Sequence, residues 1–233
     1  MSAEDRLALD QLTTLRLRRC GAREDVISEG EVPRDVNLIL SGWACRYKQL
    51  EDGRRQILAF FLPGDICDLN VYILREMDHS VAALTPLVVG ELPRDALEEV
   101  MQRHPRIAKA LWWETLVNAA TQREWTVSLG KRSAFERMSH LFCELFFRLR
   151  AIGFTSESQC ELPLTQAELA DATGLSAVHV NRTLQELRGA GLIQLKDRVL
   201  RIPDLRALKE AALFNPNYLH LDHEGRGLDA NRS

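Results

Sequence analysis

The chain has 233 residues, of which 45% are hydrophobic and 27% charged, with a formal net charge of −3. Such a composition suits a globular chain with room for one large domain or two modest ones, and excludes a strongly basic protein that would coat nucleic acid unspecifically. No apolar run approaches the roughly 20 residues of a membrane span, and MSAEDRLALD lacks the basic and apolar regions of a signal peptide. A cytoplasmic protein without membrane attachment is expected. Cys20, Cys45, Cys67, Cys143 and Cys160 are scattered, with no CxxC or Cys/His cluster. That spacing argues against a disulfide framework or a Cys-based metal site, and for small buried hydrophobes.

Residues 4–16 read as a short amphipathic helix with Leu7, Leu12 and Leu15 on one side. From about Arg23 to Pro93 the pattern changes to short strands broken by turns. Glu24–Ser28 ends at Gly30, Asn37–Leu40 at Ser41-Gly42, Trp43–Leu50 at Asp52-Gly53, and Gln56–Leu62 at Pro63-Gly64. Val81–Leu84 then leads into Leu87–Leu92. Regular short strands with this punctuation predict a β barrel or jelly roll.

From about Arg94 the chain turns helical. A short helix over Asp95–Arg103 precedes Pro105, and a long one runs on to about Leu129. Its apolar residues, from Ile107 to Val127, cover more than one face, more than packing on one domain requires. One face is expected to pack on the β domain and the other on a second copy, with Leu111, Leu116, Val117 and Ala120 at the dimer interface. Leu129-Gly130-Lys131-Arg132-Ser133 reads as a hinge, and Ser133 with Glu136 forms a capping box for an amphipathic helix over Ala134–Ile152. Gly153–Glu161 reads as a polar loop.

Residues Leu164–Leu187, LTQAELADATGLSAVHVNRTLQEL, read as two short helices joined by a tight turn. Thr165 and Glu168 make a second capping box, Gly174 supplies the turn, and Ser176 caps a helix whose inward stripe is Val180, Leu184 and Leu187. Left facing outward are Ala177, Val178, His179, Asn181, Arg182 and Gln185. Small and polar side chains around one Arg are what a helix needs to enter a major groove about 12 Å wide and reach base edges. Thr165, Gln166 and Ser176 stand at the helix N-termini, where backbone N–H groups favour phosphate. Gly191–Leu195 and Val199–Ile202 alternate around Lys196-Asp197-Arg198 as a small hairpin, which makes the whole a winged helix. Lys196 and Arg198 at the wing tip are expected on phosphates. Between Cys160 and Leu213 seven acids balance seven bases, so binding depends on where the bases lie rather than on their number.

The fold class predicted is α+β, with a β-barrel sensor domain over 1–103, a dimerisation helix and hinge over 104–132, a winged-helix domain over 133–213 and a tail over 214–233. In this order, Leu40-Ser41-Gly42, Asp52-Gly53-Arg54, Phe61-Leu62-Pro63-Gly64-Asp65 and Thr165–Leu187 resemble the Crp/Fnr family of bacterial transcription regulators. The resemblance covers about Ile27 to Leu213. It implies a homodimer that senses a signal in the β domain and binds palindromic double-stranded DNA, with RNA polymerase as a further partner. It also implies that Arg182 stands at the position that reads guanine, and that Val178 replaces a Glu found in many relatives.

The sensing residues depart from the cyclic-nucleotide pattern. Where those relatives carry Gly-Glu, this chain has Asp68-Leu69, and where they carry Arg-Ser or Arg-Thr it has His79-Ser80. Without the Arg, a buried phosphodiester lacks its charge partner, and Asp68 adds repulsion. Asp68, Leu69, His79 and Ser80 therefore line a candidate effector pocket that disfavours cyclic AMP and GMP. The iron–sulfur pattern needs clustered N-terminal cysteines, and only Cys20 lies there. His79 with Cys67 raises haem as an alternative, although a lone His in a β-domain loop reads first as an ordinary polar residue, and no cofactor is predicted. His220-Leu221-Asp222-His223-Glu224 carries metal-capable side chains in what reads as a solvated tail. A metal-dependent barrel enzyme would need clustered His ligands. His79 is the one His between residues 20 and 93, so no catalytic activity is expected.

Overall fold

The computed structural model describes residues 2–13, 16–69 and 73–221. The chain divides into two compact units, one built from Met1–Lys48 and Phe60–Ala119 and the other from Gln49–Ala59 and Ala120–Leu221. Among the described residues no helix is long and apolar enough to cross a membrane.

The chain begins with helix α1 (Ala3–Thr13) and continues as strands β1 (Leu17–Cys20), β2 (Asp25–Ile27), β3 (Asp35–Ser41), β4 (Ala44–Gln49), β5 (Arg55–Phe61), β6 (Ile66–Cys67), β7 (Ser80–Ala83) and β8 (Leu87–Pro93). They form two four-stranded sheets, ordered β1-β8-β3-β6 and β2-β7-β4-β5. Inward-facing Val26, Ile39, Ala44, Phe61, Val81, Leu87 and Val89 make one apolar cluster. Alternate positions of a pleated strand point to opposite faces, so short strands of mixed pattern suffice to fill it. The turns are fixed locally. Asp65 accepts the Leu62 N–H at 2.6 Å, and Gly42 lies at φ +87, where a Cβ would come within 2.3 Å of the Pro86 carbonyl. The jelly-roll expectation is met. Strands β1 and β6 are additions: LRRC is too polar to read as a strand, and two residues are too few to show a period.

Helices α2 (Arg94–Arg103) and α3 (Pro105–Lys131) come next. In the first unit Ile107 and Leu111 of α3 join Leu12, Val36, Leu69, Leu92 and Leu97 in a second core cluster. Two expectations need correction here. Leu111 and Ala120 are only 8% and 7% exposed within a single chain, so neither is available to a second copy. The hinge is also shorter than expected. Leu129, Gly130 and Lys131 remain helical, which leaves only Arg132 and Ser133 between α3 and the next helix. A helical glycine costs roughly 1 kcal/mol relative to alanine, too little to end a helix held by packing.

The second unit carries α4 (Ala134–Ala151), β9 (Thr155–Ser156), β10 (Gln159–Glu161), α5 (Gln166–Thr173), α6 (Ala177–Gly189), β11 (Gln194–Lys196), β12 (Val199–Arg201), α7 (Leu205–Ala211) and a 3-10 turn at Pro216–Leu219. The sheet order is β11-β12-β10-β9. Part of the segment expected as a polar loop, Gly153–Glu161, is thus a hairpin that extends the wing: Cys160 pairs with Leu200 of β12. Residues 214–219, expected as tail, belong to this unit too. Phe214, Tyr218 and Leu219 are buried, with Phe214 edge-on to His140 and Tyr218 stacked on it at ring-centroid distances of 4.9 and 5.9 Å. Burial, helped by the charge of Arg132, pushes the His140 imidazole down to about 3, so the ring is neutral. His220 and Leu221 end the described chain, and Asp222, His223 and Glu224 of the proposed metal-capable tail lie outside it.

Glu144 is fully buried at the centre of this unit. Its carboxylate accepts from Trp125 Nε1 at 3.1 Å and from the Tyr218 hydroxyl at 2.8 Å, with Arg148 at 3.6 Å. Burial pushes the carboxyl up, while Arg148 and the two donors pull it back. A buried polar group deprived of a donor bears its desolvation cost unrelieved. Tyr218→Phe should therefore lower unfolding stability by about 1–3 kcal/mol in urea denaturation. An unchanged midpoint would mean that the tail anchor contributes nothing.

Candidate nucleic-acid interface

The helix-turn-helix is set by local chemistry. Thr165 accepts the Glu168 N–H at 3.2 Å while the Glu168 carboxylate accepts the Thr165 N–H at 2.6 Å. Two of the orphan donors at the start of α5 are thereby satisfied. The helix ends at Gly174, φ +64, whose N–H returns to the Ala170 carbonyl. A side chain there would be strained and would press on Leu129 at 3.3 Å. Ser176 then caps α6 by accepting the His179 N–H at 3.2 Å.

On α6 the residues Val180, Thr183, Leu184 and Leu187 are buried, as the stripe requires. Ala177, Val178, Asn181, Arg182 and Gln185 are exposed and His179 is half-buried. Val178 is 82% exposed. Thr165, Gln166 and Ser176 are exposed at the helix starts, as are Lys196 and Arg198 at the wing. The wing turn places Asp197 and Arg198 at φ 51 and 61, the paired left-handed conformations of a type I′ hairpin. Arg188, at the end of α6, donates to the Leu195 carbonyl of β11 at 3.2 Å, tying helix to wing. Arg182 holds Glu186 only loosely, at 3.9 Å and in solvent, so its guanidinium can exchange that contact for another acceptor.

Two features have no signal in the sequence. Asn181 is engaged at both ends of its amide: Nδ2 donates to Gln166 Oε1 at 3.4 Å and Oδ1 accepts from Gln185 at 3.0 Å. One N–H and one lone pair of the amide remain for a base edge. The second is a set of contacts behind the turn. Arg55 pairs with Asp171 of α5 at 2.7 Å, Gln56 donates to the Ala172 carbonyl at 3.3 Å, and Arg137 donates to the Thr173 carbonyl at 2.5 Å. These join residues far apart in the chain, and no local spacing announces them.

The four residues proposed for an effector pocket all belong to the first unit. Leu69 lies in the core beside Leu111, and Ser80 accepts the Glu29 N–H at 2.9 Å. Asp68 and His79 do meet. His79 Nε2 is 2.8 Å from Asp68 Oδ2, and Arg46, which no sequence pattern singles out, pairs with the same carboxylate. Burial raises Asp68, but the His79 hydrogen bond and the Arg46 charge outweigh it and leave the carboxyl below its usual range. The charge partner a cyclic phosphate would need is thus bound to an internal carboxylate, and the residues present do not fit that ligand. All five cysteines are buried thiols. No grouping of three or more His, Cys, Asp or Glu suited to a metal ion occurs among the described residues.

Comparison with known proteins agrees with this geometry. Residues 17–104 match the cyclic nucleotide-binding domain and residues 136–211 the Crp-like helix-turn-helix domain. The chain is 30% identical over 214 residues to the transcriptional activator protein FnrL of Cereibacter sphaeroides, covering 90% of this chain and 85% of that one. It is 28% identical over 172 residues to the nitrogen fixation regulation protein FixK of Bradyrhizobium diazoefficiens, covering 74% and 71%. In fold it resembles the structure of FixK2 from Bradyrhizobium japonicum, with a TM-score of 0.74, 24% identity and coverage of 84% and 96%. The exposed recognition helix, its wing and the jelly roll before them are therefore the parts of known relatives, and the chain belongs to the Crp/Fnr family of transcription regulators.

Proposed function

We propose that this regulator binds an inverted-repeat DNA site as a homodimer in the cytoplasm, and acts on transcription through RNA polymerase. The observation that carries the reading is the outward set on α6, an exposed Val178 and a loosely held Arg182 with the cations of the wing beside them. Arg182 is the base reader: a bidentate Arg to guanine O6 and N7 contributes roughly 1–3 kcal/mol of discrimination. Val178 accepts no proton from cytosine and selects weakly, through a thymine methyl. Ser176 and His179 meet phosphate at the helix N-terminus, and Lys196 and Arg198 do so from the wing. In gel shifts, Arg182→Ala should lose discrimination at one symmetric G·C pair, whereas Lys196→Ala should weaken all sequences alike and lower the salt slope by about 1 per subunit. If Arg182→Ala left the preferred sequence unchanged, α6 would not be the reading helix.

Dimerisation rests on α3. Once Leu111 and Ala120 are assigned to the interior, an exposed apolar stripe remains: Trp112 at 58%, Leu116 at 66% and the small Ala119. Their spacing of four and three residues puts them on one face of the helix, with Val117 at its half-buried margin. Leu116→Glu should shift sedimentation from dimer to monomer at micromolar concentration. A wild type already monomeric there would refute the seam.

The effector is not a cyclic nucleotide. Asp68 already engages Arg46 and His79, and admitting a second anion beside it would leave one negative charge without a partner of its own. Calorimetric titration with cyclic AMP or cyclic GMP should show no binding tighter than about 0.1 mM. A micromolar dissociation constant for either would overturn this.

A further inference from the structure

The cluster that excludes a nucleotide has a charge balance of its own. His79 Nδ1 lies 2.5 Å from Asp78 Oδ1, and Nε2 lies 2.8 Å from Asp68 Oδ2. With a carboxylate at each ring nitrogen, both must donate, which only the imidazolium can do. Facing it from the neighbouring elements are Arg46 and Lys48 on β4 and Glu29 beyond β2, with Lys48 bridging Glu29 and the Asp78 carbonyl. Arg46, Lys48 and a charged His79 balance Asp68, Asp78 and Glu29. A neutral His79 would leave the cluster one negative charge in excess, part of it buried.

The chain itself couples this cluster to α3. The residue after Asp68 is Leu69, which is 8% exposed and packs in the core cluster that holds Ile107 and Leu111. We propose that His79 is a proton-sensitive pin: while charged it holds Asp68, and through Leu69 it seats the first half of α3, so that loss of its proton weakens dimerisation and DNA binding. This rests on the reading of α3 as the dimer seam. The sign is set by the surroundings. Burial lowers the His79 value, but the hydrogen bond and charge of Asp68 and the bond to Asp78 raise it above the ordinary 6.5. The stabilisation is therefore complete below 6.5 and is lost as the pH rises through the higher folded value.

The test uses the full-length protein with 15N-labelled histidine, nuclear magnetic resonance of the His79 ring, sedimentation, and binding to its preferred DNA site between about pH 6 and pH 9. Both ring nitrogens should be protonated at the acid end, and DNA affinity should fall about fivefold or more as the ring titrates. His79→Gln, which has no proton to lose, should flatten that dependence. Asp78→Asn changes a carboxylate with a side chain 79% exposed, so it spares the fold and should lower the pH at which affinity falls. A dimer whose His79 is neutral at pH 6, or whose pH dependence is the same in His79→Gln, overturns the pin alone. A protein that is monomeric at every pH overturns the dimer reading and the coupling with it, even when His79 is an imidazolium.

Discussion

The guanidinium of Arg137 is the contact on which the DNA-binding unit depends. From one position near the start of α4 it donates to the carbonyls of Ser128 and Leu129, at the end of α3, and of Arg132 in the hinge, at 3.0, 3.1 and 2.9 Å. A fourth bond reaches the Thr173 carbonyl at the end of α5, at 2.5 Å. The last carbonyls of a helix have no partner within it and carry the negative end of its dipole. A single planar cation bonds to the ends of α3 and α5 and to the hinge that follows α3, which a flexible ammonium could not do. Burial acts against the charge and draws its value down from the usual one. Four charge-assisted bonds oppose that cost.

This clamp determines the placement of the recognition helix. Thr173 precedes Gly174, and the turn that launches α6 begins there. Arg55 on Asp171 and Gln56 on the Ala172 carbonyl hold the same stretch from the tip of the β4–β5 hairpin, which belongs to this unit. On α4, Glu144 gathers Trp125, Tyr218 and Arg148, and a neutral His140 meets Phe214 edge-on and stacks on Tyr218. Buried networks of this kind favour one arrangement, because any other leaves a polar atom unpaired. A helix that must present the same side chains to successive base pairs benefits from such a base.

Legible in the sequence is whatever neighbouring residues decide. The capping pairs Thr165 with Glu168 and Ser133 with Glu136, the turn at Gly174, and the inward spacing of Val180, Leu184 and Leu187 are local, and all recur in the structure. Long-range pairing is not legible. Arg46 and Asp68 are 22 residues apart, and Arg55 and Asp171 are 116 apart. Nor can periodicity say which apolar face of α3 the chain keeps for itself: Leu111 and Leu116 look alike in sequence, yet one is core and the other is 66% exposed. Tyr218 reads as tail because a Pro- and Asn-rich segment hides a hydroxyl that reaches Glu144. The overlong hinge has a related origin, since Gly130 is a weak helix former that its surroundings overrule.

The most direct test is selection of preferred DNA from a random pool by the purified full-length protein. Two copies of α6 related by a dyad should recover an inverted repeat whose half-site centres lie about one helical turn, roughly 34 Å, apart, with a G·C pair at one symmetric position in each half. Recovery of a single asymmetric site, or of no sequence above background, would contradict a dimer that reads DNA through this helix.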